Sequence, residues 1–308
     1  MAAPLTASKM LAALKAEGLT VHEHAGWKTH NRDTATGKTF GPVVGVLIHH
    51  TAGVNDKELC YNGRADLQGP LCHSWLGKTA GLWMIGNGRA NHAGLVDLDV
   101  IRALTAESSP LPKDDQANYD GNDCLYGLEI ENLGNGADPY PVSQYTQAVL
   151  WAAAICRAHG WSEKSVAGHK ECQPGKIDPS FDMDAFRADV KKQLATKPGG
   201  TATTPAPSPS KPRVDLSRLV TAAKADPGAR QGHVTYMAGT NLVEAALVKL
   251  GYLGRAYAGD GSFGSTTVAA YAKWQRHLGY TGNDANGVPG VTSLKKLGAK
   301  TGLFEVVA

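Results

Sequence analysis

Two kinds of periodicity divide the chain. Residues 43–48 form an unbroken apolar run, Val-Val-Gly-Val-Leu-Ile, which is short and rich in β-branched side chains and so predicts a strand buried on both faces. Residues 125–131 alternate instead, with Leu128 and Ile130 on one face and Glu129 and Glu131 on the other, which predicts a second strand. Ala148, Trp151, Ala152 and Ile155 recur at helical spacing and predict a helix over 142–159 that Gly160 stops. Further helices are expected over 8–17, ended by Gly18, and over 183–194. Residues 26–30, Gly-Trp-Lys-Thr-His, predict no element. Strand and helix signals therefore alternate through residues 1–196, the pattern of an α/β unit.

From 197 to 213 the sequence turns to Lys-Pro-Gly-Gly-Thr-Ala-Thr-Thr-Pro-Ala-Pro-Ser-Pro-Ser-Lys-Pro-Arg, with no large apolar side chain to anchor it. Proline at this density predicts an extended, semi-rigid linker. Residues 214–308 then show only helical stripes. Leu242, Ala246, Leu247 and Leu250 precede Gly251; Val268, Tyr271, Trp274 and Leu278 precede Gly279; Val291, Leu294 and Leu297 precede Gly298. A small all-α, three-helix unit is expected there.

A length of 308 residues leaves each unit enough chain to bury a core. Thirty-one Lys and Arg against 28 Asp and Glu give a net charge of +3, too mild to predict a nucleic-acid partner. No apolar run approaches the roughly eighteen residues of a membrane span, so no membrane partner is expected. The opening Met-Ala-Ala-Pro-Leu-Thr lacks the basic and apolar regions of a secretory signal, which predicts synthesis inside a cell. Cys60, Cys72, Cys124, Cys156 and Cys172 contain no CxxC pair and read as a reduced set, with a Cys60–Cys72 bridge as the alternative.

Candidate chemistry concentrates in two places. His49 closes the apolar strand, so a rigid backbone would carry its ring to the sheet edge, while His169 and Asp178 lie on the Gly/Pro-rich segment 168–179. Two imidazoles and a carboxylate form a three-ligand zinc set with a fourth position left for water. His50 is the competing ligand on the strand, because adjacent residues face opposite ways and only one can point at the ion. Cys172, three residues after His169, competes with Asp178. No Gly-x-Ser-x-Gly elbow is present, which favours a metal-activated water over a serine nucleophile.

Leu47-Ile48-His49-His50-Thr51-Ala52-Gly53, Tyr126-Gly127-Leu128-Glu129-Ile130-Glu131, and Gly168-His169 with Lys176-Ile177-Asp178-Pro179-Ser180-Phe181-Asp182 resemble the three hallmark segments of type 2 N-acetylmuramoyl-L-alanine amidases. The resemblance implies a mixed sheet flanked by helices and zinc held by His49, His169 and Asp178. It also implies catalysis by Glu129, which orients or deprotonates the attacking water, and by Lys176, which stabilises the oxyanion. Cys72-His73-Ser74-Trp75 and Gly88-Arg89-Ala90-Asn91-His92-Ala93-Gly94 resemble the family's groove and imply substrate-binding roles for His73 and His92. Cys72 stands where many relatives carry tyrosine, which leaves Glu129 and Lys176 as the working pair. Asp260-Gly261-Ser262-Phe263-Gly264-Ser265-Thr266-Thr267 and Gly287-Val288-Pro289-Gly290 resemble a peptidoglycan-binding-like three-helix domain. Together these resemblances imply a monomeric phage endolysin that acts on bacterial peptidoglycan and stays in the host cytoplasm until released to the wall. A bacterial autolysin or a non-catalytic peptidoglycan recognition protein is the alternative.

Overall fold

The computed structural model describes residues 2–79, 81–135, 138–200, 212–230 and 233–307. The chain separates into two compact units, Met1–Ser210 and Lys211–Ala308. Most of the expected linker, 201–211, lies outside the described residues. Its first residues belong to the first unit, where the Gln193 side-chain amide donates to the Gly200 carbonyl at 2.6 Å.

The first unit is built on six strands: β1 (Val21–Glu23), β2 (Gly45–His50), β3 (Ser74–Leu76), β4 (Leu82–Met84), β5 (Leu125–Ile130) and β6 (Val166–Gly168). Their order across the sheet is β1-β4-β3-β5-β2-β6. Only the β3–β4 pair is antiparallel, so the sheet is mixed. Every residue of β2 is buried, as a continuous apolar run requires of a central strand.

Strand alternation builds two apolar layers. Val46, Ile48, Tyr126, Leu128 and Ile130 pack with the helices Ala7–Ala16, Val142–His159 and Met183–Leu194. Leu47, Leu125 and Ala167, on the opposite face, pack with Val100, Ile101 and Leu104 of the helix Leu98–Thr105. Local chemistry sets the helix ends. Gly160 closes the long helix at φ 71°, a conformation that costs glycine little, and the Asp182 carboxylate caps the next helix by accepting from the Ala185 amide. Asp182 and the buried Phe181, both in the amidase-like motif, are therefore structural.

The second unit contains the three expected helices, at Met237–Lys249, Ser265–His277 and Val291–Thr301. A further helix, Leu216–Ala225, precedes them, and Arg213–Asp215 pairs in parallel with Glu305–Val307. Phe263, Tyr271, Trp274, Leu294 and Leu297 fill the core. No helix among the described residues is long and apolar enough to cross a membrane.

Candidate active site

The site begins where β2 ends. In the parallel β2–β5 register His49 stands opposite Glu129 and His50 opposite Ile130. The two-residue period sends His50 to the helical face, where its Nδ1 lies 3.0 Å from the Tyr140 hydroxyl. His49 points to the other face, toward His169 and Asp178. Cys172 is buried in the apolar layer beside the helix Leu98–Thr105, and burial pushes its thiol up, so it does not replace Asp178.

His49 Nδ1, His169 Nδ1 and Asp178 Oδ2 form a triangle with sides of 3.0, 3.1 and 3.1 Å. Their protonation follows from what lies behind them. His92 Nε2 donates to the Leu125 carbonyl at 3.0 Å, so His92 Nδ1 is an acceptor and takes the His49 Nε2 proton at 3.0 Å. His169 Nε2 likewise faces two acceptors, the Ala93 carbonyl at 3.2 Å and Gln173 Oε1 at 3.0 Å. With Nε2 of each ring spent on these acceptors, the two Nδ1 atoms are left to face each other and the carboxylate oxygen. Three such atoms repel unless a proton or a metal cation lies among them. Tetrahedral zinc with bonds of about 2.0–2.1 Å sets its ligand atoms roughly 3.3 Å apart, close to this triangle. His49, His169 and Asp178 are the three residues that could hold a metal here. Burial, then the neighbouring His169, pushes the His49 imidazole down to about 4, which keeps it neutral and able to ligate.

Glu129 extends the same face. One of its oxygens, Oε1, lies 4.0 Å from His49 Nδ1, and the other, Oε2, is buried without a hydrogen-bond partner. Burial first, then Cys60, Asp178 and Asp56, push this carboxyl well above the ordinary glutamate range, while Lys176 pulls the other way. Lys176 is exposed, and its charge reaches both Glu129 and His49. Glu131 is directed elsewhere: its two oxygens accept from the Asn55 and Lys78 amides and tie two loops together.

The two histidines expected to touch substrate are placed differently. His92 is buried behind His49 with both nitrogens engaged, a supporting position for a ligand. Gly127 makes room for it, because a Cβ there would lie 2.5 Å from His92 Nδ1. His73 is wholly buried and accepts from the Gly127 amide at 2.9 Å. Neither presents a free nitrogen to an open groove.

Residues 39–181 match the protein family described as N-acetylmuramoyl-L-alanine amidase, a span that contains His49, Glu129, His169, Lys176 and Asp178. The first unit carries a type 2 amidase domain. No curated protein matches the chain. Among solved structures, the amidase domain is similar to the endolysin LysCS from Clostridium intestinale URNW, at 16% identity over 56% of this chain and 95% of that one, with a TM-score of 0.36. Staphylococcus aureus AmiA, solved with its ligand, is 12% identical over 65% of this chain and 97% of that one, with a TM-score of 0.37. AmpDh3 from Pseudomonas aeruginosa, solved with an anhydromuramic pentapeptide, is 20% identical over 46% of this chain and 56% of that one, with a TM-score of 0.33. These likenesses are weak, and the domain assignment rests on the family match and the residues of the site.

The amidase site also uses groups that the motifs do not mark. Gln173 was visible in sequence only as a polar residue four positions after His169, and the Ala93 carbonyl carries no side-chain signal at all. All five cysteines are free thiols and buried, so the Cys60–Cys72 bridge is not formed.

Proposed function

We propose that the protein is a zinc-dependent N-acetylmuramoyl-L-alanine amidase. In this reading it hydrolyses the amide between N-acetylmuramic acid and the L-alanine of the stem peptide. The observation that carries the proposal is the convergence of three potential ligand atoms, His49 Nδ1, His169 Nδ1 and Asp178 Oδ2, next to a carboxyl with an unpartnered buried oxygen. Zinc held by these three residues would supply Lewis acidity to polarise the scissile carbonyl and acidify a water. The chain's own groups do the rest. Glu129, across the strand pair from His49, takes the proton of the attacking water and passes it to the departing amine of L-alanine. Lys176 brings a cation to the charge that develops on the carbonyl oxygen.

In this reading the second unit binds the wall and tethers the amidase domain to its polymer, which raises the effective substrate concentration. The pairing of a wall-cutting domain with a wall-binding-like one supports a role as a monomeric phage endolysin that waits in the host cytoplasm. Purified protein should contain about one zinc per chain and release new amino termini from isolated peptidoglycan. A protein that binds muropeptides, holds no zinc and frees no amine would instead be a recognition protein.

A further inference from the structure

The two metal-facing imidazoles share one supporting loop. His92 Nδ1 receives the His49 Nε2 proton and the adjacent Ala93 carbonyl receives the His169 Nε2 proton, so residues 92 and 93 orient both rings. One side chain holds that loop. Asn122 Oδ1 accepts from the amides of His92 at 2.9 Å, Ala93 at 2.8 Å and Gly94 at 3.3 Å. Three N–H groups aimed at one atom identify it as the oxygen of the carboxamide.

The turn that carries Asn122 is itself pinned. The Arg89 guanidinium, nearly buried, donates to Asp123 Oδ1 at 2.6 Å and to Asp120 Oδ2 at 2.5 Å, gripping the turn on both sides of Asn122. The Gly121 amide donates to the Gly94 carbonyl at 2.9 Å, and a Cβ on Gly121 would come within 2.9 Å of the Ala93 side chain. The loop and the turn are therefore held in register on either side of the amide cluster.

We propose that Asn122 is a positioning residue that sets the tautomer and direction of both His49 and His169 through the 92–94 loop, and so prepares the site for a metal ion. The inference rests on the zinc reading above and names a group two steps behind the ligands. Removing the Asn122 oxygen leaves three amides without their acceptor, and they can be satisfied only if the loop moves. Movement of His92 and Ala93 takes the acceptor from His49 Nε2 and leaves His169 Nε2 with Gln173 Oε1 alone. Supporting partners of metal ligands typically contribute about ten- to hundredfold in affinity.

The test compares Asn122→Ala, Asn122→Asp and Glu107→Ala in the full chain. Glu107 Oε1 also gathers three donors, from the Ser162 amide and the Ser162 and Ser165 hydroxyls, and serves as a control for the loss of a structural acceptor. Zinc affinity is measured by competition with a chromophoric chelator, and the tautomers of His49 and His169 by imidazole 15N NMR of metal-free protein. Asn122→Ala should weaken zinc binding about tenfold or more and mix the tautomers. Asn122→Asp, which keeps an oxygen in place, should stay within about threefold, and Glu107→Ala should match the unaltered protein. If Asn122→Ala does not fold, Asn122→Ser, whose shorter hydroxyl cannot span three amides, should show the same loss. Unchanged affinity and tautomers in a folded Ala or Ser variant overturn the inference, as does an equal loss in Glu107→Ala. The metal-free spectra keep it distinct from the zinc reading: unaltered protein that binds no zinc refutes that reading, while the tautomers still decide the role of Asn122.

Discussion

Buried carboxylates fasten loops in the second unit, whereas two of those in the amidase domain are set differently. In the second unit Glu244 accepts from the Thr267 hydroxyl and the Gly259 amide at 2.8 Å each, and Asp226 accepts from the Phe263 amide and the Thr235 hydroxyl. Each fastens a loop to a helix and is satisfied. In the amidase domain Glu129 keeps a buried oxygen with no partner, and Asp178 Oδ2 faces two imidazole nitrogens. A carboxyl with an unpartnered buried oxygen beside a carboxylate set against two imidazoles is an arrangement of functional rather than fastening groups.

The sharpest way to break this contrast is Glu129→Ala. It should lower turnover by about a hundred- to ten-thousandfold while zinc stays bound, measured as amine release alongside metal content. Full activity would return Glu129 to the scaffolding class. Next in size, Trp274→Ala removes a buried ring whose Nε1 donates to the Ser293 carbonyl, and should cost the second unit about 3–5 kcal/mol. Calorimetry should show that unit's transition falling while the domain's cleavage of a soluble muropeptide is kept.

The smallest effect separates the units by pH. Burial pushes the His73 imidazole down to about 4 in the amidase domain, whereas the unfolded chain titrates near 6.5. Between those values the unfolded state binds more protons, so this contribution is present above 6.5 and is lost as pH falls through 4, by about 3 kcal/mol at most. Glu244 has the opposite sign. Burial raises its carboxyl, so its contribution is present below about 4.5 and fades as pH rises through the raised value. Metal-free protein melted across this range should show the two transitions moving in opposite senses, and His73→Gln should flatten the slope of the first.

His49, His169 and Asp178 were legible as candidates because each lies in a recognisable segment: an apolar run whose last residues must straddle the sheet, or the Gly/Pro-rich stretch 168–179. The direction of a ring was not. His92 and His73 share the composition of a groove, and only packing against Gly127 shows that both are buried. Asn122 was hidden in an Asp-Gly-Asn-Asp turn, whose residues signal a bend and not the three amides that meet there. At the start of the chain the helix was readable, but three-residue β1 was too short to show a period, and Trp27, buried beside it, carried no element signal. The helix Leu216–Ala225 escaped notice because two of its three buried residues are alanines, Ala222 and Ala223, which mark a stripe faintly.

The parallel pairing of Arg213–Asp215 with Glu305–Val307 brings the beginning and end of the second unit side by side. Because the two strands run the same way, residue 307 leaves the pair at the end opposite to where residue 213 enters, so joining them takes a crossover of about a dozen residues and not a tight turn. A circular permutant of the unit would therefore keep this pair only with a long connection, and a short one would pull the two strands apart.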